Sequence, residues 1–568
     1  MTTSAQPSTP RGDPGVIALA LWFGILGGLG EVVVHAGRRF IRHRFVFVSD
    51  DAVWMAPLAI FLLLLLIGVV LVGIQRLRHR PVTRALVPGF LFLTGAGVLL
   101  SYPRLHWAAS LVLAAGIAFQ GTRWQRRHSA RIATVVYATL PWLMTLVVSL
   151  GIGLQLARRL TRVPSGPAPA AGSPNVLLII FDTVRGLDYN GGDALASYFP
   201  RLSRRAASGI RFDRAFSAAP WTLPSHATMF TGRWPHEHRA NWDHPLDHRY
   251  PTLAEAMTRA GYVTAGFAAN KVFTTRATGL SRGFQVYRDY LISPGEVVRS
   301  STVLRLLAET GRFRRIVGEY QALARKNADQ VNREVLDWLP RHGERPYFAF
   351  LNYFDAHAPY LPPPPFDSAL KAMIRAHGGR QRWFEHDFSK QLPPPDILLE
   401  AKTAYLGGLS YLDDRVDALL DSLELHGWLR NTWVILTADH GEEFGEHGRL
   451  GHGHNLYRTL VQVPLVIWGP GLEPATSSAP VSLRNIPATV MNWIHPGVPT
   501  GFPGTSLLQL MATGDSARSE LIYVEGMPPE YSSGGGDMIS WVRDSVRVIR
   551  HSAGKEEILP LSDPLEKP

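Results

Sequence analysis

Asp439-His440 stands directly after the apolar run Thr432–Ala438 and directly before Gly441. A β-branched, apolar stretch that stops at a carboxylate, an imidazole and a glycine reads as a buried parallel strand delivering two metal ligands at its C-terminal end. The same construction occurs far upstream, where Val176–Phe181 runs into Asp182. Two strands ending in such ligands predict one metal site assembled from distant parts of the chain. A third stretch, Thr222-Leu223-Pro224-Ser225-His226, offers a hydroxyl at the start of a helix. Thr222 stands where an N-cap is expected, Pro224 falls in the first turn, and Gly232 can end the helix. A helix N-terminus suits a phosphate or sulfate group. A hydroxyl there, beside a metal, can lose its proton and attack an anionic ester. Taken alone, Thr222 reads as well as a plain capping threonine.

These residues need a sheet to collect them. Strand-like Val176–Phe181 is followed by helical Pro200–Ser208. Helix Leu253–Arg259 precedes strand Tyr262–Ala268, helix Ala328–Leu339 precedes strand Tyr347–Tyr353, and a long helix near Leu398–Leu425 precedes strand Thr432–Ala438. Val463–Ile467 is a further short apolar strand. The alternation predicts an α/β sandwich with a mostly parallel central sheet, whose site lies beyond the carboxyl ends of its strands. Asp182, Asn270, Asp355, His357, Asp439 and His440 all follow strands, so one crevice can gather them.

The 568 residues allow more than one domain. The net charge of +12 would fit nucleic acid, but much of the arginine lies in short loops between apolar stretches near the N-terminus, which argues for a membrane and against nucleic acid. There is no cysteine, so disulfides, thiolate metal sites and a cysteine nucleophile are excluded. Apolar stretches lie near Val16–Val34, Ala52–Ile74, Val87–Tyr102, Leu105–Phe119 and Ile132–Leu154. The second and fifth are long enough to span a bilayer, and the third and fourth read as a tight hairpin. The expected organisation is a transmembrane domain of about five helices over 1–157, a Pro/Ala/Gly linker over 158–174, and a catalytic domain over 175–568. With the N-terminus cytoplasmic, the loops Arg76–Arg84 and Arg123–Arg131 fall inside, as the positive-inside tendency requires. Arg38, Arg39, Arg42 and Arg44 then fall outside, against it, so charge alone leaves the orientation open.

The segments PNVLLIIFDTVR (Pro174–Arg185), TLPSHATMFTGRWPHEH (Thr222–His238), GYVTAGFAANK (Gly261–Lys271), YFDAHAPY (Tyr353–Tyr360), TADHGEEFGEHG (Thr437–Gly448), GHGHNLYRTLVQVPLVI (Gly451–Ile467) and the terminal LPLSDPLEKP resemble, in order and spacing, the sulfatase family of the alkaline phosphatase superfamily. That resemblance implies an alkaline-phosphatase-like fold. It places Asp182, Asp439 and His440 on one divalent metal ion, with Thr222 as nucleophile and further ligand. Zn²⁺ or Mn²⁺ suits such a donor set better than Ca²⁺ or Mg²⁺. It also implies that His357 and His452 are catalytic and that His226, Asn270, Lys271 and His454 contact substrate.

Three departures stand out. Sulfatases begin the nucleophile motif with Cys or Ser, which becomes formylglycine, whereas Thr222 carries a β-methyl group that blocks this route. His226 replaces the motif's arginine. Thr183 stands where another metal-binding Asp is usual. A threonine nucleophile with an Asp…Asp-His set is similar to lipoteichoic acid synthases, phosphoethanolamine transferases and nucleotide pyrophosphatases/phosphodiesterases. The first two also carry a multi-span membrane part before an extracytoplasmic catalytic domain. The expectation is therefore a multi-pass protein of a bacterial-type cell membrane, its catalytic domain extracytoplasmic, acting on an anionic phosphoester of lipid or cell-envelope glycan. A sulfate-ester hydrolase without formylglycine and a non-catalytic membrane scaffold are the alternatives.

Overall fold

The computed structural model describes residues 16–566 except 43–45, 47, 79–82, 161–165, 171, 191–197, 291, 309, 311–325, 342–344, 378–391, 513–521, 527–536, 544 and 564. Parts of the predicted Arg76–Arg84 loop and of the linker thus lie outside the described residues. The chain divides into two compact units, Met1–Arg162 with Leu291–Ala324, and Val163–Tyr290 with Arg325–Pro568. The segment 291–324 groups with the N-terminal residues although it interrupts the second unit in sequence.

The first unit contains five long helices: α1 Val16–Ala36, α2 Ala52–Arg78, α3 Thr83–Leu100, α4 Trp107–Arg127 and α5 Ser129–Leu160. Three helical stretches, Ile17–Ile41, Ala52–Ile74 and Arg131–Ala157, are long and apolar enough to cross a membrane. α1 and α2 pack backbone to backbone because α1 offers glycines at the contact. A Cβ on Gly28 would come within 2.2 Å of the Pro57 backbone nitrogen. Small residues of this kind let apolar helices gain dispersion contacts where burial from water is not the driving force.

The second unit is built on an eight-stranded sheet. Its strands are β1 Asn175–Phe181, β2 Ile210–Phe212, β3 Val263–Ala268, β4 Val286–Arg288, β5 Tyr347–Tyr353, β6 Thr432–Ala438, β7 Leu465–Trp468 and β8 Ala475–Ser477. The spatial order is β8-β2-β7-β6-β1-β5-β3-β4. β6, β1, β5, β3 and β4 run parallel, while β7 pairs antiparallel with both β6 and β2. The central strands read as continuous apolar runs because both faces are covered. Val176, Leu178, Ile179 and Ile180 are fully buried, each contributing roughly 1.5–3 kcal/mol by leaving water. The predicted strand Val463–Ile467 is broken at Pro464: Gln462–Val463 joins a small second sheet, and the strand resumes at Leu465. Proline has no N–H for a ladder, so the chain changes sheets there.

Register brings the chemistry together. Phe181 of β1 pairs with Ala438 of β6 and with Tyr353 of β5. The ladder continues one step past the strand ends, with Asp182 N–H donating to the Tyr353 carbonyl at 2.8 Å and Asp439 N–H to the Phe181 carbonyl at 3.1 Å. The two aspartates therefore emerge side by side.

Candidate active site

The nucleophile candidate is held by a fully buried helix, α6 Thr222–Thr231. Trp221, with extended backbone, is the N-cap, and Thr222 is the first helical residue. This corrects the expected N-cap role. The Thr222 side chain is turned to the strand ends instead of capping, and Trp221 makes no side-chain cap. Gly232 ends the helix with φ 65°, a left-handed conformation that favours glycine. Ser225, one turn into the helix, donates its hydroxyl to the Asp439 carbonyl at 2.7 Å. The bond ties the helix start to the end of β6.

Around Thr222 Oγ1 the polar groups converge. His440 Nε2 lies 3.3 Å away and Asn270 Nδ2 3.5 Å. Asn270 Nδ2 also donates to Asp182 Oδ2 at 2.8 Å. Asn270 follows β3 and is locked in turn by Asn352, the penultimate residue of β5, whose Oδ1 accepts from the Asn270 N–H at 2.9 Å. Asp182, Asp439 and His440 place one ligand atom each within 4.8 Å of one another, and all three are fully buried. Thr183 adopts φ 63° and points its N–H at Asp439 Oδ1, 3.2 Å away. A non-glycine residue in this conformation costs about 1–3 kcal/mol, and here it sits beside the functional carboxylates.

The set fits a divalent cation. Asp182 Oδ1 and Asp439 Oδ2 are buried with no hydrogen-bond partner among the described residues. Burial, and for Asp182 also the neighbouring Asp439 charge, raises the carboxyls: Asp182 goes well above the ordinary value and Asp439 up to about 8. His440 is pushed down to about 4 by burial and by His452, so it is a neutral imidazole. Two buried acids that resist ionisation beside a neutral imidazole are what a cation would relieve. His440 Nδ1 hydrogen-bonds the Gly441 carbonyl at 2.9 Å, which leaves Nε2 facing the cluster. Gly441 is required by close approach: a Cβ there would come within 2.0 Å of the Thr459 carbonyl.

The remaining predicted residues divide into two groups. His452 and His357 lie at the site, their ring centroids 4.9 Å apart, and the His452 ring is 4.4 Å from that of His440. Burial pushes His452 down to about 3. Lys271 is buried next to Asn270. The other two are engaged in the scaffold. His226 Nδ1 bonds the Thr222 carbonyl at 2.8 Å, and its ring packs edge-on against Phe350, centroids 5.8 Å apart. His454 uses Nε2 on Glu443 Oε2 at 2.9 Å and Nδ1 on the His452 carbonyl at 3.2 Å, so both ring nitrogens already have partners.

In the glycine-rich segment that follows β6, Glu442 and Glu443 are fully buried. Glu442 Oε1 holds His452 Nδ1 at 2.9 Å, and burial raises its carboxyl to about 7. Glu443 gathers His447, His454, Asn455 and Thr459. Burial alone would raise Glu443, but hydrogen bonds from His447 and His454 outweigh it and bring it down to about 2. Arg185 adds a clamp, bonding Asp188 at 2.6 Å and Glu446 at 2.7 Å. The signal available in sequence was spacing: Glu442 and His452 flank a glycine-rich turn that folds one back on the other.

Residues 174–496 match the family model described as Sulfatase. The arylsulfatase of Clostridium perfringens is 25% identical over 394 residues, covering 62% of this chain and 81% of its own length. The choline-sulfatase of Rhizobium meliloti is 26% identical over 346 residues, covering 56% and 67%. Among solved structures, the phosphonate monoester hydrolase of Agrobacterium radiobacter superposes with a TM-score of 0.53 at 19% identity, covering 70% of this chain and 91% of that one. BT4656, solved with its substrate D-glucosamine-2-N,6-O-disulfate, does so with a TM-score of 0.53 at 17% identity, covering 70% and 92%. Fold and site together define an alkaline-phosphatase-like, metal-dependent ester hydrolase. Within that class the chain belongs to the sulfatase family, whose model spans more than half of it.

Proposed function

We propose that this protein is a membrane-anchored hydrolase or transferase that uses Thr222 as nucleophile on a phosphoester, of phosphodiester or phospholipid-headgroup type. The observation that carries the reading is the Thr222 hydroxyl, buried at a helix start and 3.3 Å from His440 Nε2 of the ligand triad. The anchoring reading is supported by three helices long and apolar enough to span a bilayer, with the catalytic unit on the extracytoplasmic side.

Asp182, Asp439 and His440, with Thr222, would hold one divalent ion, for which Zn²⁺ or Mn²⁺ suits the mixed N/O donors. Such an ion, when bound, favours the alkoxide form of the hydroxyl and screens an anionic ester. Asn270 bridges Asp182 and Thr222, fixing the direction of attack. The Thr222 Oγ1–phosphorus bond forms as the bond to the leaving oxygen breaks, the hydroxyl proton passing to solvent and the leaving oxygen taking one up there, and the positive end of the helix that Thr222 begins favours the charge that develops. His452, oriented by Glu442 through Nδ1, and His357, whose Nδ1–H donates to the Ala358 carbonyl, are the imidazoles that exchange protons at the mouth of the site. A water or an acceptor alcohol then attacks phosphorus, and Thr222 recovers its proton.

A second reading, sulfate-ester hydrolysis, is favoured by the arylsulfatase and choline-sulfatase relatives. Turnover of p-nitrophenyl phosphodiester, phosphomonoester and sulfate separates the two: faster sulfate than phosphodiester turnover rejects the first. Thr222→Ala abolishes turnover while the thermal transition is kept. Mass spectrometry of quenched enzyme is expected to find a phosphorylated peptide containing Thr222. Full activity in Thr222→Ala would remove the nucleophile assignment.

A further inference from the structure

The Glu443 cluster reaches a part of the chain that the ester chemistry does not use. Glu443–Phe444 and Leu450–Gly451 pair antiparallel, and His447 stands in the turn that joins them. Its side chain is only 3% exposed. Nδ1 bonds Glu443 Oε1. Nε2 lies 2.8 Å from the Leu565 carbonyl and 3.3 Å from that of Glu566. A carboxylate and backbone carbonyls only accept, so both ring nitrogens must carry a hydrogen to satisfy them, which makes His447 an imidazolium. The Tyr457 ring stacks on it, centroids 3.8 Å apart.

The 561–566 segment is fastened to the same region a second time. Glu566 is fully buried and takes a bidentate grip from Arg547, whose Nε donates to Oε1 at 2.9 Å and Nη2 to Oε2 at 2.6 Å. Oε2 also accepts from the Arg458 N–H at 2.8 Å, and Arg458 Nη1 donates to the Leu561 and Asp563 carbonyls, each at 2.9 Å. Arg458 follows His452 and His454 in one short stretch. Glu443 holds that stretch through His454 and Asn455, and His454 Nδ1 bonds the His452 carbonyl. The stretch that carries His452 is therefore held both by Glu443 and by the 561–566 segment, and His447 joins these two.

We infer that His447 is a positioning residue: as a cation it ties the 561–566 segment to Glu443, and loss of its proton releases that segment and slackens the stretch that aims His452. The inference rests on the reading of His452 as a proton-exchanging group of the ester reaction. A neutral His447 keeps one N–H. The carboxylate holds it on Nδ1, so the Nε2 lone pair then faces two carbonyl oxygens and the contact turns repulsive. Three acids face His447 and favour its charged form: Glu443, Glu566 and, through the Tyr457 hydroxyl at 2.9 Å, Glu557. His454 across Glu443 opposes it, as do Arg458 and Arg547, whose donors are taken up by Glu566 and by backbone carbonyls. Burial lowers His447, but the Glu443 hydrogen bond and charge, with the two carbonyls, outweigh it and raise the imidazole above its ordinary 6.5. The strut is thus intact below pH 6.5 and lost as pH rises through the raised value.

The test uses the full chain in detergent with Mn²⁺, from about pH 6 to about pH 10. Hydrogen exchange, corrected for its intrinsic pH dependence, should accelerate in peptides covering 561–568 and 448–461. It should do so over the pH interval in which kcat on a soluble p-nitrophenyl phosphodiester falls, with KM little changed. His447→Lys keeps a cation at high pH and should move both transitions up by more than about one pH unit. His447→Gln, neutral throughout, should exchange fast already at about pH 6 and lower kcat there about tenfold. Exchange of 561–568 that does not change with pH, or transitions at the same pH in parent and His447→Lys, would overturn the inference. Where both variants fail to fold, the parent's exchange profile decides. A parent that turns over no phosphodiester, but whose exchange steps with pH and shifts in His447→Lys, would remove the phosphoester reading and keep the strut, with p-nitrophenyl sulfate then reporting the fall in kcat.

Discussion

The buried carboxylate pair makes a sign-specific prediction about stability. In ion-free protein, burial raises Asp439 from 3.8 to about 8. The unfolded chain releases this proton near pH 4, but the folded chain keeps it until about pH 8. Folded protein thus binds more protons across that window, so ion-free stability falls as pH rises from about 4 to about 8 and is flat above. A shift of about four units corresponds to roughly 5 kcal/mol, which bound cation would relieve. For a unit of this size that is on the order of 10 °C in Tm. Scanning calorimetry of the full chain, with EDTA or with Zn²⁺ or Mn²⁺, should show a gain in Tm several-fold larger near pH 8 than near pH 5. The buried neutral histidines His226 and His452 lose stability in the opposite sense, as pH falls below about 6.5, but do so in both samples and cancel in the difference. Asp439→Asn keeps an oxygen for the N–H groups of Thr183 and His440. It should raise the ion-free Tm at pH 8 and remove most of the metal-dependent gain. Equal gains at both pH values, or an Asp439→Asn variant that is less stable without metal at pH 8, would refute the reasoning.

Other perturbations have distinct readouts. Glu442→Gln should lower kcat about 10–100-fold through misorientation of His452, with the metal-dependent Tm gain retained; steady-state kinetics alongside calorimetry checks both halves. Glu443→Ala leaves His447, His454, Asn455 and Thr459 without their shared acceptor, and denaturant unfolding should report a loss of about 3–5 kcal/mol. Gly441→Ala drives a methyl group into the Thr459 carbonyl. Weaker Zn²⁺ binding by isothermal titration is expected, because the displaced segment carries His440.

The parts of the fold visible in sequence are those where local chemistry is unambiguous. Leu253–Arg259, Tyr347–Tyr353 and Thr432–Ala438 run between the very residues expected, because each is bounded by a turn residue or by the functional side chain itself. The helix start at Thr222 was legible to within one residue, and the error has a cause: a threonine can cap a helix or aim its hydroxyl elsewhere, and only the surroundings decide. The strand broken at Pro464 shows propensity yielding to a missing N–H. Glu442 and Glu443 were not legible, since a glutamate in a glycine-rich loop looks the same whether it is solvated or buried against histidines. His454 was similarly ambiguous, because spacing places it near the site but cannot tell which carboxylate claims its ring. The grouping of 291–324 with the N-terminal residues is not legible either; nothing in its composition marks it as an excursion.

The adjacency of β1 and β6 carries one more consequence, for how the protein matures. Asp182 and Asp439 are neighbours only because two strands separated by most of the catalytic sequence lie side by side in one register. Non-local parallel pairing pays its loop-closure entropy before it is rewarded, so it forms late and slowly. A chain in which β6 does not yet lie beside β1 has no place to hold a cation. Ion capture therefore requires β6 in place beside β1, and a slip of one residue in that pairing would turn Asp439 to the opposite face. An ion bound there would stabilise the correctly registered sheet over a misthreaded one.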